Sequence, residues 1–160
     1  MGLRTYMRKR LLLIVVLAMP VAAWAFVKPV RILAPELVGV SCMSDTICID
    51  DTSRFQEAAG LYDDAAEFVD SAVGGMKRKP LAIFCATEAC YQSFGSGRSA
   101  AQTIATFGIA ISPRGWKPHY VRHEMIHHLQ RERLGTLKSW LITPEWLTEG
   151  MAYSLKAPNG

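Results

Sequence analysis

The 160-residue sequence predicts one α+β domain behind an apolar N-terminal segment. Apolar residues recur at spacings of three and four from Ser53 to Val73, as they do in an amphipathic helix. Short runs at 81–85 and 104–112 are rich in β-branched and small apolar residues, which is typical of buried strands. Two further helices are predicted near the carboxyl end. Half of the residues are hydrophobic, which excludes a disordered or low-complexity chain.

Residues 1–27 are interpreted as a targeting segment rather than as part of the fold. A basic stretch that ends at Arg10 is followed by 17 uncharged residues. Ala23 and Ala25 form an A-x-A pattern that predicts cleavage by a signal peptidase after Ala25. A retained membrane anchor stays open as the alternative. A stretch of 17 residues is at the short limit for spanning about 30 Å of hydrocarbon, but it still falls within the range of membrane helices. Both interpretations place residues 28–160 in the periplasm or another extracytoplasmic compartment, since the basic end stays inside.

The net charge of +4 comes entirely from this N-terminal segment. The remainder of the chain has 14 basic and 14 acidic residues. A domain without net charge has little attraction for a phosphate backbone, so no nucleic-acid partner is expected.

The four cysteines indicate an exported domain with disulfides, because thiols oxidise outside the cytoplasm. Three pairings are possible, and the simplest joins Cys42 to Cys48 and Cys85 to Cys90. Neither pair has the C-x2-C spacing of a compact zinc site, which disfavours zinc binding by these residues. Reduced thiols in the core are the remaining alternative.

The elements follow from local signals along the chain. Residues 28–50 are broken by Pro and Gly and predict irregular structure with at most one strand. The remaining predictions are a helix over 53–73 that Gly74 ends, a strand over 81–85, a strand over 104–112, a helix over 117–134 that Gly135 ends, and a last helix that begins at Thr143 and Pro144.

The residues that indicate chemistry begin at His123, where the chain reads His-Glu-Met-Ile-His. On a helix, positions i and i+4 lie about 40° apart, so His123 and His127 can hold one metal ion between two imidazoles. Glu124 lies about 100° from His123 and can take a proton from a water whose pKa the ion has lowered. This pattern supplies two ligands and a base.

A catalytic zinc usually has three protein ligands, and no histidine follows His128. Among the downstream carboxylates, Glu132 lies about 140° round the same helix and cannot turn back to the ion. Glu145 is explained by its position in the first turn of the last helix. Glu149 stands beside Gly150, whose cost to the helix indicates close packing or a function there.

The two motifs together resemble the gluzincin zinc metallopeptidases. The second motif, Trp-Leu-Thr-Glu-Gly-Met-Ala at 146–152, is similar to the W-L-N-E-G-F-A sequence of the aminopeptidase N branch. The resemblance covers residues 104–153 and implies a small zincin-like domain with a short mixed sheet packed on two helices. It implies that His123, His127 and Glu149 are Zn²⁺ ligands, and that Glu124 is the general base. The strand at 107–111 is expected to line the cleft and pair with an extended peptide.

The chain also departs from that branch. The G-x-M-E-N segment that recognises a free amino terminus is absent, so aminopeptidase specificity is not expected. Tyr153 lies one turn after Glu149 and is a candidate for stabilising the oxyanion, with packing in the core as the alternative. His119 and His128 are expected to have packing or surface roles rather than ligand roles. Trp140 and Trp146 are expected to anchor the core.

The leading hypothesis is an exported, zinc-dependent metallopeptidase that acts on a peptide or protein. A catalytically inactive zinc-binding relative is the first alternative. The second is a membrane-anchored interaction protein of the cell envelope with an incidental histidine cluster. A domain of this size is also a candidate for a protein partner that completes its cleft.

Overall fold

The computed structural model describes residues 2–135, 138, 141 and 143–156, which form an N-terminal helix and an α+β domain. The helices are α1 (Gly2–Phe26), α2 (Phe55–Val73), α3 (Glu88–Ser93), α4 (Pro118–Leu134) and α5 (Glu145–Lys156). The strands are β1 (Ser41–Cys42), β2 (Ile47–Ile49), β3 (Leu81–Phe84), β4 (Ala101–Ile104) and β5 (Gly108–Ile111). Short 3-10 helices occupy Lys28–Leu33, Pro35–Val38, Thr52–Arg54 and Pro113–Gly115.

The five strands form one mixed sheet in the order β1-β2-β3-β5-β4. The three central strands β2, β3 and β5 are parallel to one another, and the outer strands β1 and β4 run antiparallel to their neighbours. Strand β4 therefore lies at an edge of the sheet, and β5 lies inside it.

Both faces of the sheet are covered, which explains why the three central strands β2, β3 and β5 are apolar along their whole length. Side chains alternate between the two faces, as the period of a strand requires. One face packs on α2 and α4 through residues such as Ile49, Phe84 and Ile111. The other face packs on α3 and the N-terminal 3-10 segment through residues such as Cys48, Ile83 and Ala110.

Helix α4 is fixed against its neighbours by polar contacts at both ends. Arg122 donates to both carboxylate oxygens of Asp64 on α2, at 2.9 and 2.7 Å. Glu132 accepts from the backbone N–H groups of Lys77 and Arg78, at 2.8 Å each. These contacts hold the helix that carries the His-Glu-Met-Ile-His motif in place. Because Glu132 binds Lys77 and Arg78, its carboxylate is not directed toward that motif.

The structure confirms the two local disulfides, Cys42–Cys48 and Cys85–Cys90. Helix α1 is apolar and long enough to cross a membrane from Tyr6 to Phe26, and none of its most apolar window is buried in the domain. This helix could therefore be a signal or an anchor, and it is not a buried core helix. The disulfides and the helix are together compatible with an oxidising compartment outside the cytoplasm.

Two predicted elements need correction, and one element was not predicted. Residues 28–50 contain two short strands and two 3-10 helices rather than at most one strand. Helix α3 was not expected, although Thr87 caps it by accepting from the Cys90 N–H. The strand predicted over 104–112 is instead a hairpin of β4 and β5, because the chain turns at Ala105 with a φ of 47°.

Candidate metal centre

Helix α4 presents the two motif histidines on one face. The Nε2 atoms of His123 and His127 lie 3.0 Å apart, and their rings are nearly perpendicular. The helical rise places residues i and i+4 one turn apart, so this approach follows from the spacing alone. Both side chains are mostly buried, with 12% and 11% of their surface exposed.

Helix α5 brings Glu149 to the same point. Its Oε2 lies 3.4 Å from His123 Nε2, and its Oε1 lies 3.2 Å from His127 Nε2. Four-coordinate zinc, with bonds of about 2.0–2.1 Å, separates its ligand atoms by about 3.3 Å. The three donor groups lie within 4.8 Å of one another and could hold a metal ion.

Gln130 determines which nitrogen of His127 carries the proton. The Gln130 amide nitrogen donates to the backbone carbonyl of Thr148 at 3.0 Å, so its oxygen must face the other way. That oxygen lies 2.9 Å from His127 Nδ1. Because an amide oxygen only accepts, Nδ1 carries the hydrogen. In a neutral imidazole the lone pair is then on Nε2, which lies 3.2 Å from Glu149 Oε1.

This arrangement fits a cation. With His127 as a neutral ligand, its Nε2 lone pair and the Oε1 of Glu149 face each other at 3.2 Å. Two lone pairs at this distance repel each other unless a positive charge lies between them. Two imidazoles and a carboxylate are the ligand types that zinc accepts in catalytic sites. The donor set therefore fits a zinc ion.

Glu124 lies beside this group and does not join it. The residue is 7% exposed, and its Oε2 lies 2.6 Å from the Thr103 hydroxyl, which is also 2.9 Å from the Glu124 carbonyl. Burial raises the pKa of Glu124, and the Thr103 hydrogen bond, His127 and Arg131 act in the opposite direction. The Glu124 carboxylate therefore lines the cleft and is positioned by Thr103 of strand β4, not by a residue of its own helix.

Arg131 links α4 to the same strand. Its Nη1 donates to the carbonyl of Thr103 at 2.6 Å. Burial lowers the pKa of Arg131, while the nearby carboxylates of Glu124 and Glu149 raise it. Thr103 therefore meets the motif helix through both its hydroxyl and its backbone.

A cleft of about 910 Å³ opens over the three donor groups. One wall is formed by the ligand-bearing helices, and the other is formed by residues 101–105. The prediction that residues 107–111 line the cleft is wrong: none of them is in its lining, because residues 108–111 form β5, which lies between β3 and β4, and Phe107 lies in the turn before it. The cleft-lining strand is β4, whose outer edge is not paired with another strand of the sheet.

The remaining predicted site residues lie near the centre in different ways. The ring of Tyr153 makes an edge contact with His123, with 5.0 Å between centroids, and Tyr153 is 56% exposed. It is therefore not packed in the core. His119 packs on the ring of Tyr120. His128 is buried, with its Nε2 3.2 Å from the Arg78 carbonyl, and it lies away from the cleft.

One expectation about α5 is wrong, one of two alternatives for Gly150 is excluded, and the expectation for Trp140 falls outside the structure. Trp146 is 74% exposed and does not anchor the core. A Cβ at Gly150 would meet no atom within 4 Å, so close packing does not explain this glycine. Trp140 lies outside the described residues.

Sequence reasoning missed three residues that support the site: Thr103, Gln130 and Arg131. Gln130 lies three positions after His127, a spacing at which side chains meet on a helix, so the sequence contained a signal for it. Thr103 and Arg131 depend on the approach of β4 to α4, and no local pattern indicates that approach.

Comparisons with known proteins give no relative. No family model, no curated protein and no solved structure matches this chain.

Proposed function

We propose that this protein is an exported, zinc-dependent metallopeptidase with a zincin-like domain of the gluzincin type. The observation that carries the proposal is the convergence of His123, His127 and Glu149 from two helices, with Glu124 beside them in an open cleft. The first three would hold the ion. Bound zinc supplies a Lewis acid for the scissile carbonyl and lowers the pKa of a water molecule.

Each supporting residue has a defined task in this reaction. Glu124 accepts a proton from the attacking water and then donates it to the leaving amine. Thr103 orients the Glu124 carboxylate through a 2.6 Å hydrogen bond. Gln130 keeps the lone pair of His127 on Nε2. Tyr153, beside His123, is the candidate donor to the developing oxyanion.

Strand β4 is the proposed binding site for the peptide backbone. The carbonyl of Ala100 accepts from Ser112 and so points toward β5. Because successive backbone groups of a strand point to opposite sides, those of Ala101 and Thr103 point toward the cleft. The Thr103 carbonyl already accepts a hydrogen bond from Arg131. A peptide would therefore pair with Ala101 and with the N–H of Thr103, as an added strand.

Metal content tests the centre. The full-length chain is purified in detergent, and zinc per chain is measured by mass spectrometry for the native protein, His127→Ala and Glu149→Ala. About one zinc per native chain is expected, with loss in both variants. Glu132→Ala is the matched control, because Glu132 is a carboxylate on α4 that contacts Lys77 and Arg78 instead. A native protein without zinc would refute the proposal and leave the interaction protein.

Turnover tests the chemistry separately. The zinc-loaded chain is incubated with a mixture of quenched fluorogenic decapeptides, and cleavage is followed by fluorescence. Glu124→Gln is expected to keep its zinc and lose at least a hundredfold in rate, since general-base catalysis contributes about 10²–10⁴. Stoichiometric zinc without cleavage of any peptide would favour the inactive zinc-binding relative.

A further inference from the structure

The carboxyl end of α1 is bound to the domain by one arginine. Arg31 Nε donates to the Trp24 carbonyl at 3.2 Å, and Nη2 donates to the Ala25 carbonyl at 2.9 Å. Its Nη1 donates to the carbonyl of Ser93, at the end of α3, at 3.0 Å. The guanidinium also lies 5.4 Å from the centre of the Trp24 ring. The Arg31 side chain thus joins the last turn of the apolar helix to the domain.

The segment that follows α1 is packed and is not a loose linker. Ile32 and Pro35 are buried in the domain. Gly95 has a φ of +80°, and a Cβ there would lie 2.9 Å from Pro29 and 3.1 Å from Lys28. Only a glycine admits this approach. Contacts on both sides of residue 28 therefore connect the end of α1 to the domain.

Large apolar side chains remain exposed around this junction. Phe26 is 86% exposed, Leu33 is 60% exposed and Leu37 is 70% exposed. We refer to these three residues together with Val27, which is 50% exposed, as the collar. The collar begins at Phe26, the last residue of α1, and continues directly after it along the chain, and α1 itself has the length and hydropathy of a membrane span. Continuity with that helix identifies a lipid bilayer as the occupant that covers the collar.

We propose that α1 is retained as a membrane anchor and that the collar rests on the outer surface of the bilayer. Trp24 then lies at the interface, where tryptophan is enriched in membrane proteins. Pro29 lines the cleft and follows Phe26 by three residues, so their Cα atoms are at most about 11 Å apart. The rim of the cleft is thus held within that distance of the end of the span.

Cleavage after Ala25 would damage this junction. It would remove the Trp24 and Ala25 carbonyls, two of the three acceptors of Arg31. It would also create a new ammonium group on Phe26, close to the guanidinium, where two cations repel each other. If the proposed peptidase function is also correct, on which this last step rests, the substrates are polypeptide segments that lie at the membrane surface.

Retention of the anchor is tested on the full-length chain, expressed in a bacterial host with active signal peptidase. Membranes are washed with alkaline carbonate, and the intact mass of the protein is measured. The expected result is an uncleaved chain of 17.7 kDa in the membrane pellet. A soluble chain that begins at Phe26 would overturn the proposal. This result does not depend on zinc or turnover, so it is independent of the proposed function.

The lipid contact is tested by photo-crosslinking. The photoreactive residue benzoylphenylalanine replaces Leu33 or Leu37 in the membrane-bound chain, and the adducts are identified by mass spectrometry. Phe107 is the matched control, because it is 53% exposed and lies in the β4–β5 turn, outside the collar. Phospholipid adducts at Leu33 and Leu37, at least fivefold more abundant than at Phe107, are expected. Protein adducts in place of lipid, or equal lipid labelling at Phe107, would refute the contact.

The role of Arg31 is tested by hydrogen exchange in lipid nanodiscs. Arg31→Ala is expected to speed amide exchange in residues 27–35 at least tenfold, while β3 stays protected. Arg98→Ala is the control, because Arg98 is an exposed arginine of the loop between α3 and β4. Unchanged exchange in Arg31→Ala would show that this side chain does not fix the junction.

Discussion

Replacing Gln130 by leucine should weaken zinc binding without touching a ligand. The change removes the acceptor for His127 Nδ1 at 2.9 Å and the donor to the Thr148 carbonyl at 3.0 Å. The first contact selects the tautomer of His127, and the second ties α4 to the helix of Glu149. Loss of a hydrogen-bond partner behind a ligand typically costs 10–100-fold in metal affinity. We therefore expect a loss of about 1.4–2.7 kcal/mol in the free energy of zinc binding.

The assay is a competitive zinc titration against a chromophoric chelator. Gln130→Glu separates the two contacts, because a carboxylate still accepts from His127 but cannot donate to Thr148. Gln102→Leu is the control, since Gln102 lines the same cleft from β4. Far-ultraviolet circular dichroism shows whether each variant is folded. A folded Gln130→Leu chain whose zinc Kd stays within twofold of the native value would refute the reasoning.

Three further outcomes are expected. Thr103→Val removes the hydroxyl that donates to Glu124 and should cost about 1–3 kcal/mol in urea unfolding, with zinc content unchanged and recovery in Thr103→Ser. A chelator should lower the melting temperature of the native chain by roughly 5–10 °C when free zinc was at about a hundred times Kd, and it should leave Glu149→Ala unchanged. Burial raises the pKa of Tyr62 to about 12, against 10.0 for an exposed tyrosine. The unfolded chain therefore loses this proton first, and stability should fall by about 2 kcal/mol as the pH rises from 10 to 12. Tyr62→Phe should flatten that fall in a series of urea melts.

The elements that local signals mark were predictable from the sequence. Helix α2 begins two residues after Ser53 and ends at Val73, and Gly74 follows it in the left-handed conformation. Strand β3 lies in the apolar run at 81–85, and helix α4 ends at Leu134, before Gly135, as the sequence predicts. The two disulfides also follow from short loops, because Cys42 pairs with Cys48 across the β1–β2 hairpin. Each of these features depends on contacts within about twenty residues.

The approach of the three donor groups was predictable only in part. The distance between His123 and His127 is a property of one helix, and the i+4 spacing determines it. Glu149 is 22 positions further along the chain, and only the resemblance of its motif indicated its role. The environment of Glu124 depends on Thr103, which is 21 positions upstream on a strand. Periodicity describes one element at a time and carries no information about which strand faces which helix.

The error over the cleft strand shows how one backbone angle changes the interpretation of a site. Residues 104–112 alternate well enough for one strand, and no glycine marks a turn at Ala105. The chain nevertheless turns there with a φ of 47°, a conformation that a residue with a Cβ rarely adopts. Because of this turn, β5 pairs on both sides, and β4 becomes the edge that faces Glu124 and the ligands. The edge of the sheet that lines the cleft therefore belongs to β4, which periodicity did not separate from β5.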